Sequence, residues 1–402
     1  MLRTNHQNSI KKCFRNINCQ SETIIKILHK KIANPSIWEL ETFYRKRDII
    51  IIGSGFTGLW TAISIKEKFP EKSILIIERN SIPTGASTRN AGFACFGSLT
   101  EIISDSEKMG WKKTLDLVKM RFEGLQKIQQ YFSAEEIDFD LCGGYEILND
   151  EKALDRLDEV NQHLFPITKV KETFRITNEK IKEFGLGKSE FLVENLCEGS
   201  LHSGKLLNKL LEKCHELKVE ILCGTEVETV LETENEVEIK IDENLIIKSD
   251  KVIFCTNAFS SKFLKSEEII PARGQIILTE PIENLKLKGT FHYDEGFYYF
   301  RNLGNRILLG GARNKDFETE KTTTLETTEF LQNHLENFLK EVILPNQNFK
   351  IEMCWSGIMA MGNEKTPIVK QLSEKQFCAV RLSGMGVALA PEIGEMVCEL
   401  VF

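Results

Sequence analysis

The segment Asp48-Ile49-Ile50-Ile51-Ile52-Gly53-Ser54-Gly55-Phe56-Thr57-Gly58 decides the fold of this 402-residue chain. Its run of isoleucines is typical of a strand that is buried on both faces of a parallel sheet. Helical periodicity follows as far as Phe69-Pro70, and a second strand spans Ser73 to Ile77 and ends at Glu78. The segment and its flanks therefore predict a complete βαβ unit.

The glycines of this unit have the G-x-G-x-x-G spacing of a dinucleotide-binding turn. Gly53 permits the tight turn, Gly55 lets the backbone approach a pyrophosphate, and Gly58 allows the helix to pack closely on the strand. Such a turn also arises for conformational reasons alone, but its position between a strand and a helix favours a nucleotide site. The helix N-terminus then offers unpaired N–H groups and a partial positive charge to the phosphates. Ser54, Phe56 and Thr57 in this turn are further candidates for the nucleotide site.

Glu78 lies twenty-five residues after Gly53, at the end of the second strand. A carboxylate in this position can accept hydrogen bonds from the hydroxyl groups of an adenosine ribose, and it would repel a 2′-phosphate. Arg79 beside it is a further candidate for the nucleotide site. The unit by itself does not distinguish NAD from FAD, and a surface carboxylate is the alternative interpretation of Glu78.

The next segment, Pro83-Thr84-Gly85-Ala86-Ser87-Thr88-Arg89-Asn90-Ala91-Gly92-Phe93, resembles the second signature of the D-amino-acid-oxidase-like FAD superfamily. The resemblance is closest to its gamma-glutamylputrescine-oxidase-like branch, in which the segment passes the ribityl chain and the flavin ring. A surface loop rich in Gly, Ser and Asn is the alternative. The resemblance implies contacts to FAD from Ser87, Thr88, Arg89, Asn90, Ala91 and Gly92.

Several later segments resemble the same family and occur in the same order. They are Gly199 to Ser203, Thr225-Glu226-Val227, Phe254 to Ala258, Pro271 to Gln275, Trp355-Ser356-Gly357 and Ser383 to Pro391. A helix that begins after the small residues of the last segment can direct backbone N–H groups at the flavin C2 carbonyl. The resemblance adds FAD-binding candidates at Val227, Thr256, Asn257, Ala258, Gly357, Gly384, Met385, Gly386 and Val387.

The resemblance implies an α/β fold, with a Rossmann-like FAD-binding domain and an interleaved α+β substrate domain built on a mixed sheet. We expect a basic arm over residues 1–35, which can be disordered. We assign 36–100, 190–270 and 350–402 to a discontinuous FAD-binding domain. The substrate domain then takes residues 101–189 and 271–349.

Periodicity predicts the elements between these motifs. Apolar spacing indicates a long helix between Ser106 and Phe132 and another from Ser203 to Leu217. Charged helical stretches continue to about Lys188, and short strands dominate from Val219 to Cys255.

The chain departs from its relatives where a substrate would bind. Glycine-oxidase-like relatives hold the substrate carboxylate with an Arg two residues after the W-x-G glycine, but this chain has Met359 there. Methionine offers only an apolar, polarizable surface, which argues against a simple amino acid held in that manner. Arg381 is an alternative cation or a surface arginine. Tyr298 occupies a position where relatives place aromatic residues over the substrate, and strand alternation allows only one of Tyr298 and Tyr299 to face the site.

The resemblance also predicts how the flavin is held. Sarcosine-oxidase-like relatives attach it through a Cys and activate oxygen with a Lys, and Ser356 and Leu308 stand at those places here. We therefore expect noncovalent FAD, with Cys354 close enough to be the competing possibility. The electron acceptor is either oxygen or a quinone or carrier protein.

Composition excludes several other classes of protein. A formal net charge of −7 argues against a general nucleic-acid binder, and no apolar run is long enough to cross a bilayer. Eleven cysteines without a C-x-x-C pair indicate reduced thiols in a cytoplasmic protein and disfavour a metal site. The basic stretch from Met1 to about Asn34 fits a solvated arm, a targeting segment or the artefact of an upstream start codon.

The function implied by the resemblance is oxidation of a C–H bond next to an amine nitrogen. Hydride would pass to flavin N5, and the resulting imine would hydrolyse. One alternative is oxidation of a 2-hydroxy acid, which demands a base for the hydroxyl proton. Another is a flavin-bearing interaction protein that binds a partner through its basic arm. The oligomeric state stays open.

Overall fold

The computed structural model of the protein describes residues 34–264 and 269–402, so almost all of the predicted basic arm lies outside the described residues. The first strands are β1 (Arg47–Ile52), β2 (Ile74–Ile77), β3 (Phe93–Ala94), β4 (Gly144–Leu148), β5 (Phe174–Ile176), β6 (Phe191–Asn195), β7 (Gly199–Ser200), β8 (Glu220–Leu222) and β9 (Thr229–Glu232). The later strands are β10 (Val237–Asp242), β11 (Leu245–Phe254), β12 (Ile270–Thr279), β13 (Thr290–Tyr293), β14 (Tyr298–Leu303), β15 (Arg306–Gly311), β16 (Ile351–Met361), β17 (Ile368–Gln371) and β18 (Gln376–Val380).

The helices complete the layers around these strands. No helix in the described ranges is long and apolar enough to cross a membrane. The α-helices are α1 (Ile37–Thr42), α2 (Phe56–Lys68), α3 (Ala86–Arg89), α4 (Leu99–Tyr131), α5 (Ala134–Ile137), α6 (Leu157–Thr168), α7 (Glu179–Phe184), α8 (Ser203–Glu216), α9 (Glu329–Phe338) and α10 (Gly386–Val401).

The first sheet is the predicted nucleotide-binding sheet. Its order is β17-β18-β11-β1-β2-β8, and β10 and β9 extend from β11 as an antiparallel arm. β1 runs parallel to both β2 and β11, so the loops after these three strands meet at one edge of the sheet. The isoleucines of β1 are almost completely buried, as expected for a strand covered on both faces.

The second sheet has eight strands in the order β16-β12-β15-β14-β13-β4-β6-β5. All of its pairings are antiparallel except that of β13 with β4. This mixed sheet confirms the predicted α/β class with a second, α+β part.

Two strands lie in the second sheet although the sequence assigns them to the FAD-binding domain. β6 falls in the stretch 190–270, but it pairs with β4 and β5. β16 falls in the stretch 350–402, but it pairs along its length with β12. A motif that lies near the predicted nucleotide site can belong to a strand of either sheet. In β16, only the C-terminal half of the strand reaches the predicted nucleotide site.

Helices α2, α4 and α10 pack together on one face of the first sheet. Close approach depends on small residues: a Cβ built on Gly124 of α4 would lie 1.9 Å from the carbonyl oxygen of Ala388, and one on Gly394 of α10 would lie 2.7 Å from the backbone of Trp60. This packing fixes the N-terminus of α10 beside the turn after β1.

Candidate functional site

A cavity of about 490 Å³ lies between the carboxyl ends of the parallel strands and a face of the second sheet. Its walls include Gly53 after β1, Glu78 after β2 and Thr256 after β11, and they extend to Tyr299 and His292 of the second sheet. Clefts that hold cofactors commonly have volumes of this order. The cavity therefore joins the predicted nucleotide site to the predicted substrate side.

The glycine turn has the geometry that its spacing predicts. Gly53 has φ 107°, and a Cβ there would lie 2.7 Å from the carbonyl oxygen of Cys255. A Cβ on Gly58 would lie 2.0 Å from the Gly53 carbonyl oxygen, so this glycine permits close packing behind the cavity wall. Gly55, Phe56 and Thr57 line the cavity itself.

Glu78 is buried at the cavity wall, with its carboxylate held by backbone and hydroxyl donors. Its Oε2 accepts from the Ser54 amide at 3.2 Å and from the Ser54 hydroxyl at 2.7 Å, and its Oε1 accepts from the Asn80 amide at 3.0 Å. Ser54 thus lies behind the wall and orients Glu78. The carboxylate keeps free lone pairs for a ribose.

The loop with the second signature is tied to both sides of the cavity. The Phe56 amide donates to Ser87 Oγ at 2.9 Å, which links the loop to the N-terminus of α2. Arg89 Nη1 donates to the Ser356 carbonyl oxygen at 3.0 Å. Ser87, Arg89, Asn90 and Ala91 all line the cavity.

Thr88 and Gly92 support this loop without lining the cavity. The Thr88 hydroxyl donates to the Pro83 carbonyl oxygen at 2.8 Å. Gly92 has φ 72°, and a Cβ there would lie 2.4 Å from the carbonyl oxygen of Leu201. Both residues therefore shape the loop from behind.

The remaining FAD candidates come together on the same cavity wall. Asn257 Oδ1 accepts from the Arg381 amide at 3.2 Å, which joins the turn after β11 to the turn before α10. Helix α10 has no side-chain cap, and its first residues, Gly386 to Ala388, line the cavity. Its first N–H groups and the positive end of its dipole therefore lie at the cavity wall. The wall contains Arg79, Val227, Thr256, Asn257, Ala258, Gly357, Gly384, Met385, Gly386 and Val387.

These groups fit the two ends of an FAD molecule. The N-terminus of α2 beside Gly55 suits a pyrophosphate, and Glu78 suits the adenosine ribose. The N-terminus of α10 suits an electron-rich carbonyl of the flavin ring.

The structure does not bring the two predicted substrate residues to the cavity wall. Tyr298 is 5% exposed and stacks on Phe338 in the core of the second sheet, with ring centroids 4.5 Å apart. Arg381 is buried, and its guanidinium donates to the carbonyl oxygen of Thr366 at 2.8 Å. Strand alternation puts Tyr299, the neighbour of Tyr298, on the cavity side.

The wall around Tyr299 has an apolar and a cationic part. A Cβ on Gly274 would lie 3.1 Å from Met359 Cε and 3.4 Å from the Tyr299 hydroxyl, so these two side chains are neighbours. Burial raises the pKa of Tyr299 to about 12, which keeps its hydroxyl protonated. Arg313, just after β15, also lines the cavity. The sequence carries no motif signal for Arg313.

A histidine and a carboxylate meet at the far end of the cavity. His292 lines the wall, and its Nε2 lies 3.6 Å from Glu198 Oε2. Burial lowers the pKa of His292, but Glu198 and more distant carboxylates raise it by more, so the net shift is upward. Cys95 completes a group whose ligand atoms lie within 4.8 Å of one another. Burial raises the pKa of the Cys95 thiol well above its usual range, so this group is better described as an acid–histidine pair.

A second charged cluster lies beside this pair. Lys365 Nζ contacts Glu101 at 2.9 Å and Asp105 at 2.8 Å, and Arg121 contacts Glu101 at 3.1 Å. Burial would raise the pKa of Glu101, but Lys365 and Arg121 lower it to about 2. The carboxylate of Glu101 is therefore charged, and its Oε1 pairs with both Lys365 and Arg121.

Residues 48–400 match the model of a family described as FAD dependent oxidoreductase (DAO). The chain is 28% identical over 373 residues to "Probable oxidoreductase OrdL" of Haemophilus influenzae, covering 88% of this chain and 82% of that protein. It is 23% identical over 386 residues to gamma-glutamylputrescine oxidoreductase of Escherichia coli, with coverages of 88% and 83%. The crystal structure of L-proline dehydrogenase from P. horikoshii has the same fold, with a TM-score of 0.73 at 21% identity and coverages of 89% and 93%. Since the family model spans nearly the whole described chain, the protein belongs to the FAD dependent oxidoreductase family.

Proposed function

We propose that this FAD-dependent oxidoreductase oxidises an amine or amino-acid-type substrate at the carbon next to its nitrogen. The observation that carries the proposal is the continuity of one cavity from the Gly53 turn, past the Gly384 turn, to a chamber walled by Tyr299, Met359 and His292. The name of a curated relative, gamma-glutamylputrescine oxidoreductase, describes a substrate of this amine class.

The residues of the chain would contribute positioning and the exclusion of water. FAD, when bound, supplies an acceptor at N5 for the hydride, and the imine product hydrolyses after release. Tyr299 and Met359 offer flat and flexible surfaces that can pack against the substrate and keep water from the reacting carbon. The N-terminus of α10 supplies positive electrostatic potential where negative charge accumulates on reduction.

A second candidate, oxidation of a 2-hydroxy acid, is favoured by the pair of His292 and Glu198. An alcohol must lose its hydroxyl proton as hydride leaves, and an imidazole backed by a carboxylate can accept that proton. The same imidazole can instead receive the proton of an ammonium substrate.

An anaerobic panel tests the two candidates. Purified yellow protein is mixed with a gamma-glutamylated polyamine, small amino acids, simple amines and 2-hydroxy acids, and the loss of flavin absorbance is followed by stopped flow. Rapid bleaching by amines supports the proposal, and bleaching by 2-hydroxy acids alone supports the second candidate. If no compound of either class bleaches the flavin, the flavin-bearing interaction protein becomes the better hypothesis. Repeating the best reaction with oxygen or with a soluble quinone identifies the electron acceptor.

We further propose that the FAD is noncovalent and that the protein is cytoplasmic. Cys354 is exposed and does not line the cavity, which supports noncovalent binding. The nine cysteines in the described ranges are all unpaired, which supports a reducing compartment. Release of the flavin on denaturation in trichloroacetic acid tests the first point, and cell fractionation tests the second.

A further inference from the structure

Helix α1 exposes large apolar side chains to solvent. Trp38 is 74% exposed, Phe43 at the C-terminal end is 61% exposed, and none of the six residues of the helix is buried. Ile37 and Leu40 are exposed as well. Most of the stability of a short helix in a protein comes from packing of its apolar side chains, so an unpacked apolar helix indicates a surface that another molecule covers.

Helix α1 nevertheless has a defined place on the protein. Its N-terminus has a capping box, in which Ser36 Oγ accepts from the Glu39 amide at 3.3 Å and Glu39 Oε2 accepts from the Ser36 amide at 2.7 Å. At the other end, Arg47 Nη2 donates to the Thr42 carbonyl oxygen at 2.9 Å. Arg47 is buried and pairs with Glu220, so the helix is attached to the start of β1.

The exposed helix lies at the other end of β1 from the cavity. Helix α1 precedes β1, whereas the cavity begins at Gly53, directly after this strand. Because β1 has six residues, the two ends are about 20 Å apart. A partner bound to α1 is therefore separated from the Gly53 turn by the length of the strand.

The chain that leads into α1 is strongly basic. Residues 1–35 contain seven Lys and Arg and one Glu, a net charge of +6, whereas the whole chain carries −7. Lysines and apolar residues are mixed from Ile24 to Ile32. Segments that bind a membrane surface combine these two kinds of side chain, because the lysines are attracted to anionic lipids and the apolar residues enter the interface.

Three carboxylates beyond the C-terminal end of α1 are paired with cations. Arg45 contacts Glu220 at 2.6 Å, and Lys46 contacts Asp250 at 2.7 Å and Glu236 at 3.4 Å. Their negative charges are balanced by these contacts, so they do not oppose the attraction of the basic arm to an anionic surface.

We propose that α1 and the basic arm dock the protein peripherally on a membrane surface that contains anionic lipids. Trp38 and Phe43 enter the headgroup region, where aromatic side chains are favoured, and the arm adds electrostatic attraction. The cytoplasmic face of a membrane carries such lipids, so the proposal agrees with the cytoplasmic location proposed above. It does not depend on the amine oxidation proposed above.

Two other partners fit α1 less well. A stable interface with a second copy of the chain takes about 20 residues from each partner, and α1 supplies four exposed apolar side chains. A nucleic acid would use the basic residues of the arm and could stack on Trp38, but it offers nothing to the aliphatic side chains of Ile37 and Leu40. A lipid surface uses the charged, aromatic and aliphatic groups together.

Vesicle binding by the full-length holoenzyme tests the proposal. The yellow protein is mixed with sucrose-loaded vesicles of phosphatidylcholine alone or of phosphatidylcholine with phosphatidylglycerol, and the flavin absorbance of the pellet measures binding. We expect at least about 10-fold stronger binding to the anionic vesicles at low salt. The difference should disappear at about 1 M salt, where the Debye length is about 3 Å.

Trp38 supplies a local signal for the same experiment. It is the most exposed of the four tryptophans, which are all in the described part of the chain. Its emission should shift to shorter wavelength when anionic vesicles are added to the wild type. Trp38→Phe keeps an aromatic side chain, so this variant should bind the vesicles as the wild type does and lose the shift.

Substitutions in α1 test whether the helix takes part in binding. Trp38→Ala combined with Phe43→Ala should weaken binding to anionic vesicles by about 10- to 100-fold, as expected when two large apolar side chains are removed from an interface. Phe330→Ala is the matched control, because Phe330 is an exposed aromatic residue on α9 and should leave vesicle binding unchanged. Flavin content and thermal unfolding confirm that each variant is folded.

Substitutions in the arm test its charge. Lys26→Gln, Lys30→Gln and Lys31→Gln, made together, should weaken binding by about 10- to 100-fold, since each basic residue near an anionic surface adds to the attraction. The control changes the net charge by the same amount elsewhere and should leave binding unaltered. It replaces three exposed lysines of α4 by Gln, namely Lys112, Lys113 and Lys119.

Three results would overturn the proposal. The first is wild-type protein that does not bind anionic vesicles at low salt or binds neutral vesicles equally well. The second is unchanged vesicle binding after Trp38→Ala with Phe43→Ala. The third is a wild-type dimer, detected by light scattering, that ignores vesicles and dissociates in this double variant, because a second copy would then cover α1. Flavin bleaching by amines is measured without vesicles, so none of these results bears on the proposed amine oxidation.

Discussion

The hydroxyl oxygen of Ser54 lies 2.7 Å from the Glu78 carboxylate, and the Ser54 amide donates to the same oxygen at 3.2 Å. The turn after β1 thereby orients the acid at the end of β2. If Glu78 accepts hydrogen bonds from the adenosine ribose, Glu78→Ala should raise the Kd for FAD by about 10- to 100-fold, as expected for hydrogen bonds to a charged group. Titration of the flavin-free protein with FAD, followed by flavin fluorescence, measures this change.

Asp48 supplies a matched control at the opposite end of β1. Its Oδ2 accepts from the Ser73 amide at 2.8 Å and from the Ser73 hydroxyl at 2.5 Å, an arrangement like that of Glu78 with Ser54. Asp48→Ala should lower the free energy of unfolding and leave the FAD affinity unchanged. Equal losses of FAD affinity in the two variants would mean that Glu78 acts only through folding.

Gly58→Ala should destabilise the protein because the new methyl group would lie 2.0 Å from the Gly53 carbonyl oxygen. We expect a loss of about 3 kcal/mol in the free energy of unfolding, since Gly58 lies in helix α2 and the Gly53 backbone is held by a 2.9 Å hydrogen bond from its amide to the Ile77 carbonyl oxygen. Gly85→Ala is the control, because a Cβ at Gly85 meets nothing within 4 Å and should change stability by less than about 0.5 kcal/mol. Guanidinium unfolding of the flavin-free proteins compares them. A similar stability for both variants would contradict the tight packing of α2 on the turn.

The sequence predicts the βαβ unit nearly to the residue. The strand expected over Asp48 to Ile52 is observed at Arg47–Ile52, and the helix expected over Ser203 to Leu217 is observed at Ser203–Glu216. These elements depend on local chemistry, namely β-branched runs, a glycine turn and apolar periodicity. The expectation of only short strands from Val219 to Cys255 is wrong in one respect. The stretch contains the ten-residue strand β11 (Leu245–Phe254), whose polar middle is satisfied by pairing with neighbours on both sides.

Elements whose partners are distant in sequence are the ones that the sequence does not predict. β4 lies in a stretch expected to be helical. Its buried Glu146 interrupts the apolar pattern of the strand. This carboxylate can be buried because Ser98 and Thr100 donate hydrogen bonds to it. The substrate side of the cavity is even harder to predict from the sequence. Tyr299 and Arg313 face the cavity because of the register of the second sheet and a left-handed turn, and neither property has a local sequence signal.

The stability of the protein should depend on pH through His292. The net pKa of His292 is raised above its ordinary value of 6.5, because Glu198 and more distant carboxylates outweigh the effect of burial. The folded state then holds a proton that the unfolded state releases, so this stabilisation is complete below the unfolded pKa and is lost as the pH rises through the folded pKa. We expect the free energy of unfolding to decrease between about pH 6.5 and the folded pKa of His292. NMR of the His292 ring proton measures that pKa directly.

Glu198→Gln keeps an acceptor for the amides of Phe96 and Gly97 but removes the charge beside His292. The pKa of His292 should fall in this variant, and the decrease in stability with rising pH should shrink. His163→Gln is the control, because His163 stacks on Trp111 away from this pair and should leave the pH dependence unaltered. An unchanged His292 titration in Glu198→Gln would show that the pair is not electrostatically coupled.

Tyr298 and Tyr299 allow the same small change to be made on the two faces of one strand. Tyr299→Phe removes a hydroxyl from the cavity wall, next to Met359, and should raise the apparent Kd of the substrate by about 10-fold, the worth of one hydrogen bond. Tyr298→Phe removes a hydroxyl from a ring that stacks on Phe338 in the core, so substrate binding and the rate of flavin bleaching should stay as in the wild type. Stopped-flow reduction with the best substrate of the panel compares both variants at equal flavin content. A larger effect from Tyr298→Phe would mean that the Tyr298 face of β14, and not the Tyr299 face, is directed at the substrate. The substrate would then not bind in the chamber around Tyr299.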